Sequence, residues 1–375
     1  MFFAAGEASG DLQASLLLDA MRRSRPELSA AAIGGPRLRA AGAPLLFDST
    51  ELGTIGPLSI LPNIPKLYVI MRRLVAAMCK RPSRLFVPVD AGAANLRLIK
   101  WLREGGYRGP IVYYFPPGTW LDDLEQAKAV ARFAQPLTPF AHQRDFYAAH
   151  GLAAAWFGHP LVSVISQRTT QPQASPASIA VLPGSRREEV DRHMEVLVRC
   201  AARLSARADI SFQCVAATEA RATQIQKLWE RQGGPAAMRI SREGVAAAVE
   251  RATLAWTASG TAALETALAG VPQIVFYRVS PAQYRFAQRR LPKHLLESVA
   301  LPNLVLERRV VPELLQADFE PERLARLTLP LLEREELRAE QVAAYEEMRA
   351  KLGPPDALAR IADFVIDRLE QRIAS

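Results

Sequence analysis

The chain has 375 residues, of which 49% are apolar and 23% charged, and its formal net charge is +9. This length exceeds the size at which one hydrophobic core stops growing, so two domains are expected. No run reaches the roughly 20 apolar residues that cross a bilayer, which excludes an integral membrane protein. Arginine is spread along the whole chain without a zinc-finger or RNA-binding signature, so the basic excess favours phosphate or anionic lipid over nucleic acid as a partner.

The three cysteines, Cys79, Cys200 and Cys214, are odd in number and widely spaced. They form neither a disulfide framework nor a CxxC metal pair. No charged-then-apolar leader precedes the first apolar run. The sequence therefore predicts a protein of the reducing cytoplasm.

Short β-rich runs alternate with helical patterns in the first part of the chain, and the same rhythm resumes in the second part. This alternation predicts an α/β protein with two parallel sheets. The runs are residues 2–5, 85–89, 111–115, 179–182, 210–215, 253–257 and 273–277.

A polar, proline-bearing stretch without periodicity, residues 164–178, separates the two parts and reads as an interdomain linker. We therefore expect an N-terminal domain over 1–165 and a second domain over 166–345. The chain after Glu320 looks helical through Arg372, with an interruption at the GPPD sequence before the last helix. The C-terminal helices, 346–375, can then pack back on the N-terminal domain.

The first strand runs directly into AGEASGD, residues 5–11. Glycines in such a turn allow the backbone to bend sharply and to approach a ligand closely. The alternative is an ordinary strand-to-helix turn capped by Ser9 or Asp11. Five residues of this motif are candidates for a ligand cleft, namely Gly6, Glu7, Ser9, Gly10 and Asp11.

A single carboxylate, Asp90, follows a strongly apolar strand in VPVDAGAAN, residues 87–95. Open α/β sheets place ligands at the carboxyl ends of their strands. A carboxylate there can act as a general base. The alternative is that Asp90 is the N-cap of a helix beginning at Ala94.

Two motifs in the second half of the chain also suit anions. VLPGSRREEV, 181–190, breaks from a strand into a turn that opens on two arginines, although such a turn alone can simply join a strand to a helix. SGTAALETALAG, 259–270, sets small and hydroxyl-bearing residues at a helix start, where free N–H groups and the helix dipole can meet an anion. Further along, Tyr277 and Arg278 end a strand, and Asn303 lies in a proline-led turn.

Residues 63–81 predict an amphipathic helix. One interpretation packs its apolar stripe on the neighbouring sheet. The other makes it a basic interfacial helix that touches anionic lipid. The stripe consists of Leu67, Ile70, Met71, Leu74, Val75 and Met78, and the flanking basic residues are Lys66, Arg72, Arg73 and Lys80.

Six motifs occur in order along the chain: AGEASGD, GHPL at 158–161, LPGSRREEV, SGTAALE, VFYR and LPNL. Together they resemble the lipid-A-disaccharide synthase family over nearly the whole chain. The resemblance implies a GT-B fold, in which two Rossmann-like domains face a cleft. It also implies an inverting glycosyltransferase of lipid A biosynthesis. Such an enzyme joins UDP-2,3-diacylglucosamine to 2,3-diacylglucosamine 1-phosphate through a β-1,6 bond.

The resemblance also implies roles for single residues. Asp90 matches the catalytic aspartate, and His159 matches the histidine beside the crossing between domains. No metal or other cofactor is expected, because Arg186 and a helix terminus can neutralise the diphosphate and no DxD-like pair is found. In the UDP-sugar site the resemblance places Ser185 and Arg186 at the diphosphate, Ser259, Gly260 and Thr261 as backbone donors, Glu265 at the ribose, and Tyr277, Arg278 and Asn303 in the remaining pocket.

Two segments of the first domain depart from the family pattern. DAGAAN stands where DAPDFN is typical and keeps Asp90 and Asn95, while FPPGTW stands where SPSVWAW is typical and keeps Trp120. Because both changes fall on the acceptor side, a UDP-sugar transferase with another lipid acceptor is an alternative. A UDP-sugar epimerase would turn over its substrate without an acceptor, and a nonenzymatic sugar-nucleotide or lipid-binding protein would bind without turnover. The expected location is the cytoplasmic face of the inner membrane, and the sequence leaves open a homodimer.

Overall fold

The computed structural model describes residues 1–49, 64–80, 84–117, 123–167, 177–291 and 293–370. The chain divides into two compact units. The N-terminal unit contains Met1–Ser163 together with Leu352–Ser375, and the C-terminal unit contains Val164–Lys351. Within the described ranges, no helix is both long and apolar enough to cross a membrane.

The N-terminal unit is built on a six-stranded parallel sheet in the order β3-β2-β1-β4-β5-β6. Its strands are β1 (Phe2–Ala5), β2 (Ala31–Gly34), β3 (Leu45–Asp48), β4 (Phe86–Val89), β5 (Val112–Tyr114) and β6 (Gln135–Leu137). Its helices up to the change of unit are α1 (Ala8–Ser24), α2 (Pro36–Ala40), α3 (Ile64–Lys80), α4 (Gly92–Glu104), α5 (Leu124–Phe133), α6 (Ala141–Ala149) and α7 (Leu161–Val164).

The C-terminal unit has a second six-stranded parallel sheet, in the order β12-β11-β10-β7-β8-β9. Its strands are β7 (Ala177–Leu182), β8 (Ile210–Val215), β9 (Met238–Ser241), β10 (Leu254–Ala258), β11 (Gln273–Tyr277) and β12 (Glu313–Leu315). Its helices are α8 (Arg187–Ser205), α9 (Glu219–Arg231), α10 (Val245–Val249), α11 (Thr261–Leu268), α12 (Pro281–Arg290), α13 (Lys293–Glu297), α14 (Leu301–Leu306), α15 (Pro321–Glu333) and α16 (Glu335–Leu352).

The two sheets therefore share one strand order, that of a doubly wound Rossmann-type sheet. The strand order reverses between β1 and β4 in the first sheet and between β7 and β10 in the second. In sheets of this kind, ligands bind beyond the carboxyl ends of the strands at the reversal point. The predicted α/β class with two parallel sheets is confirmed.

The last helix, α17 (Ala357–Glu370), packs in the N-terminal unit. The predicted interruption at 353–356 separates it from α16. Its apolar face joins the core that β1, β4 and α1 share. The inward residues of α17 are Leu358, Ile361, Ala362, Val365, Ile366 and Leu369, each less than a tenth exposed.

Helix α3 buries its apolar stripe against the first sheet. Met71, Leu74, Val75 and Met78 are 4–7% exposed and lie in one cluster with side chains of β1, β4 and α4. The interpretation that this stripe rests on lipid is therefore wrong, and the core interpretation is confirmed for these four residues. The side chains of Lys66 and Leu67 lie outside the described residues, as do Trp120 and most of the predicted linker, 168–176.

Candidate functional site

In the N-terminal unit, the loops that follow β1 and β4 meet at the reversal point of the sheet. A Cβ atom added to Gly6 would lie 2.5 Å from the Cβ of Ala91, so glycine is needed there for close approach. The Ser9 hydroxyl lies 3.5 Å from Oδ2 of Asp90, at the outer limit of a hydrogen bond. The structure thus brings AGEASGD and Asp90 together in one place.

The backbone around Asp90 is held in an uncommon conformation. Asp90 and Ala91 have φ angles of 52° and 49°, in the left-handed region that residues with a side chain rarely adopt. The Asn95 amide donates to the Asp90 carbonyl at 2.8 Å, and the Tyr113 hydroxyl donates to the same oxygen at 2.9 Å. The N-cap of α4 is Ala91, so the alternative that Asp90 caps this helix is wrong.

Tyr113 can keep this donor role across the physiological range. Burial raises the pKa of its phenol well above the usual value, and the negative charge of Asp90 raises it further. The hydroxyl therefore stays protonated and continues to donate to the Asp90 carbonyl. Together with Asn95, it orients the peptide that carries the candidate base.

Asp11 is a structural residue in this arrangement. Its carboxylate is 1% exposed and accepts hydrogen bonds from the backbone N–H groups of Gly35, Arg37 and Leu38 at 2.7, 2.9 and 3.1 Å. These groups surround the start of α2, so Asp11 caps a neighbouring helix. Its carboxylate is engaged in the protein interior, whereas its motif neighbour Ser9 reaches Asp90.

His159 is buried in the N-terminal unit beside two aromatic rings, those of Phe115 and Phe140, at centroid distances of 5.5 and 5.3 Å. Burial lowers its pKa from 6.5 to about 3. Its Nδ1 accepts a hydrogen bond from the backbone N–H of Leu161 at 3.3 Å. The imidazole is therefore neutral at physiological pH, and its backbone N–H anchors the Leu352 carbonyl at 2.7 Å.

In the C-terminal unit, the LPGSRREEV turn follows β7 at the second reversal point. Gly184 has a φ angle of 114°, which favours glycine, and Arg186 is the N-cap of α8. Glu189 accepts from the Arg186 backbone N–H at 3.2 Å and pairs with its guanidinium at 2.6 Å. This pair fixes the start of the helix and the direction of the Arg186 side chain, while Ser185 is exposed.

The turn after β10 lies on the other side of the same reversal point. The Ser259 hydroxyl donates to the Val299 carbonyl at 2.8 Å, and Gly260 has a φ angle of 139° with open space around it. Thr261 begins α11, whose first N–H groups have no partners within the helix. Glu265 is half-buried a little over one turn further along. Helix-terminal N–H groups in this geometry can bind an anion.

The structure places Asn303 in surroundings different from those predicted from the sequence. It lies in α14 and not in an open turn. Its Nδ2 donates to the Val311 carbonyl and to Glu313, at 3.0 and 2.9 Å, while Oδ1 accepts from the N–H groups of Val310 and Val311. All of the hydrogen-bonding groups of this amide are occupied within the protein. Asn303 thus organises the segment beside Ser259.

Arg278 is likewise engaged with its own unit. Its Nε donates to the Gln316 carbonyl at 3.0 Å, and its guanidinium also contacts the Phe319 carbonyl. The charge lies over the Phe319 ring at 5.3 Å. Tyr277, the preceding residue, directs its hydroxyl to Glu189 at 3.5 Å and so connects the end of β11 with the LPGSRREEV turn.

Two residues that the sequence analysis did not single out hold these turns together. Glu313 accepts the N–H groups of Val299 and Ala300 at 2.7 and 2.6 Å and thereby fixes the segment that Ser259 contacts. His193 is fully buried between the turn after β7 and the end of β11. In the sequence, the one indication that His193 is buried is its position on the apolar face of the amphipathic helix α8. Among the described residues, no group of three or more His, Cys, Asp or Glu is placed to hold a metal ion.

A family model described as lipid-A-disaccharide synthetase matches residues 1–360 of the chain. The chain belongs to the lipid-A-disaccharide synthetase family. It is 35% identical to the lipid-A-disaccharide synthase of Myxococcus xanthus, over 97% of this chain and 96% of that protein. It is 32% identical to the Thiobacillus denitrificans enzyme of the same name, over 98% of this chain and 99% of that protein.

Solved structures with the same architecture have little sequence in common with this family member. The calicheamicin glycosyltransferase CalG4 matches with a TM-score of 0.55 and 16% identity, over 100% of this chain and 99% of that one. A UDP-GlcNAc 2-epimerase from Neisseria meningitidis, bound to UDP-GlcNAc, matches with a TM-score of 0.65 and 11% identity, over 98% and 100%. At these identities the likeness concerns the fold alone, and that fold is GT-B.

Proposed function

We propose that this glycosyltransferase of lipid A biosynthesis transfers 2,3-diacylglucosamine from UDP-2,3-diacylglucosamine to 2,3-diacylglucosamine 1-phosphate, forming a β-1,6 bond. Membership of the lipid-A-disaccharide synthetase family supports the reaction class. The observation that carries the assignment of roles is the position of the motifs. Each sheet bears two motifs at the carboxyl ends of the strands that flank its reversal point, AGEASGD and Asp90 in the first sheet and the turns of Arg186 and Ser259 in the second.

The donor is proposed to bind in the C-terminal unit. The backbone N–H groups of Gly260 and Thr261 would meet the diphosphate at the start of α11. The N–H group of Ser259 donates to the Phe276 carbonyl at 3.0 Å, so Ser259 positions this turn and is not itself a donor to the ligand. Arg186 would add a charge-assisted hydrogen bond, and its pairing with Glu189 keeps its side chain in one direction. Glu265 would accept hydrogen bonds from the ribose hydroxyls. These groups stabilise the negative charge that develops on UDP as it leaves.

The acceptor hydroxyl is proposed to be activated in the N-terminal unit. Asp90 would take its proton while the oxygen attacks the anomeric carbon from the face opposite UDP, which inverts the configuration there. The bond to the UDP oxygen breaks as the new glycosidic bond forms. Asn95 and Tyr113 support this role, because both hold the peptide that carries Asp90.

We also propose that the enzyme associates peripherally with the anionic cytoplasmic face of the inner membrane. The support is the outer face of α3, where Tyr68 and Val69 are 50% and 46% exposed beside the exposed Arg72, Arg73 and Lys80. Basic side chains next to apolar ones suit an anionic lipid surface. Acylated substrates would then reach the enzyme from the bilayer.

Product analysis tests the reaction. Purified protein is given UDP-2,3-diacylglucosamine with and without the acceptor phosphate, and the lipids are measured by mass spectrometry. We expect a disaccharide phosphate and UDP in equal amounts. An altered UDP-sugar without acceptor would indicate an epimerase. In a further incubation, a different lipid acceptor replaces the acceptor phosphate. Product formed only in that incubation would indicate that the DAGAAN and FPPGTW segments changed acceptor choice.

The variant Asp90→Asn tests the proposed base. It preserves the shape of the side chain and removes its basicity, so turnover should fall by roughly 10²- to 10⁴-fold. UDP affinity should be unchanged, because the proposed donor groups lie in the other unit. Turnover within a factor of about two of the wild type would remove Asp90 from the mechanism.

A further inference from the structure

His193 links two backbone segments of the C-terminal unit that are distant in sequence. Its Nδ1 lies 2.7 Å from the Pro183 carbonyl oxygen, in the turn after β7. Its Nε2 accepts a hydrogen bond from the backbone N–H of Arg278, after β11, at 3.1 Å. Because a carbonyl can only accept, the contact with Pro183 places a proton on Nδ1, and acceptance at Nε2 corresponds to the neutral ring. The Arg278 carbonyl oxygen also lies 3.3 Å from Nε2, so both backbone groups of Arg278 face this nitrogen.

The surroundings of the ring maintain this state. His193 is fully buried, and burial lowers its pKa. The rings of Phe276 and Phe319 approach it edge-on, at centroid distances of 5.1 and 5.7 Å. An imidazole enclosed in this way has few alternative rotamers, so the two hydrogen bonds define a fixed distance between their backbone partners.

The two segments that His193 connects continue from strands that are not adjacent in the sheet. Strands β7 and β11 are not neighbours, because β10 lies between them. Adjacent strands are about 4.8 Å apart, so β7 and β11 are about 10 Å apart, and His193 bridges the chain segments that continue from these two strands. The turn that contains Ser259, Gly260 and Thr261 follows the intervening β10. The imidazole therefore ties together the two segments that flank this turn.

We propose that His193 is a positioning residue for the nucleotide, which sets the spacing between the Pro183–Arg186 turn and the Tyr277–Arg278 segment so that both fit one nucleoside diphosphate. The inference rests on the proposed binding of UDP-sugar in this unit. His193 itself does not touch the nucleotide in this role. It acts through the backbone atoms of Pro183 and Arg278.

The experiment measures UDP affinity by calorimetry and stability by thermal unfolding, on the full chain. His193→Leu removes both hydrogen bonds and leaves a buried carbonyl and a buried N–H unpaired. We expect UDP to bind about tenfold more weakly or worse. His193→Asn keeps an amide that can pair with one of the two partners, so its UDP affinity should lie between those of the wild type and the Leu variant.

Leu204→Ala is the matched control. Leu204 is 1% exposed on the same helix, eleven residues and about three turns further on, so this change creates a cavity without affecting either segment. It should lower the melting temperature and leave UDP affinity at the wild-type value. In turnover assays, the His193 variants should raise KM for the UDP-sugar far more than they lower kcat, because Asp90 lies in the other unit.

UDP affinity in both His193 variants equal to that of Leu204→Ala would overturn the positioning role, since burial alone would then explain the histidine. The Asn variant keeps this test valid if the Leu variant does not fold. Wild-type protein that fails to bind UDP would overturn the proposed function, and this inference with it. Wild-type binding together with a graded loss in Asn and Leu supports both.

Discussion

Gly6 and Ala91 approach each other so closely that a methyl group on Gly6 would lie 2.5 Å from the Ala91 side chain. Ala91 is the residue after Asp90, and both have left-handed backbone angles. The glycine of the first motif thus sets the position of the loop that carries the proposed base. Two motifs that are far apart in sequence are therefore in direct contact here.

Gly6→Ala should therefore impair catalysis through the Asp90 loop. The new methyl group must displace Ala91, and a small displacement of a catalytic group has a large effect on rate. We expect turnover to fall by about 10²-fold or more while UDP affinity stays at the wild-type value. Parallel kinetics and UDP calorimetry make this measurement. A loss of both in equal proportion would mean that the substitution unfolds the chain.

Arg186→Ala should weaken UDP binding by about 1.5 to 3 kcal/mol, the usual contribution of a charge-assisted hydrogen bond. Calorimetry on the wild type and the variant measures the difference. The neighbouring Arg187 provides the control, because its side chain is 71% exposed and faces Asp191 at 3.9 Å. Arg187→Ala should leave UDP affinity unchanged. Equal effects from the two variants would point to general electrostatic attraction.

His159 should make the protein less stable in mild acid. The pKa of its imidazole is about 3 in the folded chain and 6.5 in the absence of burial, so the unfolded state binds more protons between these values. Stability is therefore complete above about pH 6.5 and falls as the pH is lowered towards 3. At pH 5 the loss should be about 2 kcal/mol relative to pH 8.

His159→Phe removes this titration while keeping a ring beside Phe115 and Phe140. Urea unfolding of both proteins at pH 8 and pH 5 gives the comparison. The variant should lose about 2 kcal/mol less than the wild type on acidification. His193 titrates in both proteins and cancels in the difference. An identical pH dependence would show that His159 is accessible to protons in the folded chain.

The outer face of α3 should carry the proposed attraction to anionic lipid. Replacing Arg72, Arg73 and Lys80 together by Gln should weaken binding to anionic vesicles by up to about 3 kcal/mol, since each basic residue near such a surface contributes about 1 kcal/mol. Cosedimentation with vesicles measures this. Turnover of a short-chain soluble acceptor should be unchanged, because that substrate does not need the interface.

A triple variant of Arg39, Arg108 and Lys128 to Gln supplies the charge control for this experiment, because these exposed residues lie on other parts of the same unit. Its vesicle binding should be close to that of the wild type. Equal losses in the two triple variants would assign the attraction to net charge. Leu74→Ser, by contrast, should destabilise the unit by more than roughly 2 kcal/mol, since Leu74 is 5% exposed in the core.

The strands predicted from the sequence are seven of the eight interior strands of the two sheets, all except β2. The strands β1, β4, β7, β10 and β11 read as nearly continuous apolar runs because both faces are covered by helices. All four edge strands, β3, β6, β9 and β12, were missed, together with β2. They are three or four residues long and mostly half-buried, so their local signal is weak. Their place in the sheet depends on pairing with neighbours.

In the candidate site, too, the sequence predicts local features and misses those that depend on tertiary contacts. The sequence predicts that Asp90, Arg186, Ser259 and the AGEASGD motif lie at strand ends. It does not predict which polar groups there are already hydrogen-bonded within the protein. Asn303 uses its whole amide internally, and Asp11 caps a helix that the sequence did not predict. Both depend on contacts between distant segments, which a local pattern does not contain. His193 was missed for this reason as well.

The return of α17 to the N-terminal unit has a consequence for the order of events during synthesis. A ribosome releases β1 and α1 first, yet the apolar surface that they share with Leu358, Ile361 and Val365 stays uncovered until about residue 370 has emerged. The C-terminal unit, whose strands and helices are consecutive in the chain, can close its core earlier. The unit made first is therefore the last to be completed, and its nascent form presents an apolar surface to chaperones throughout elongation.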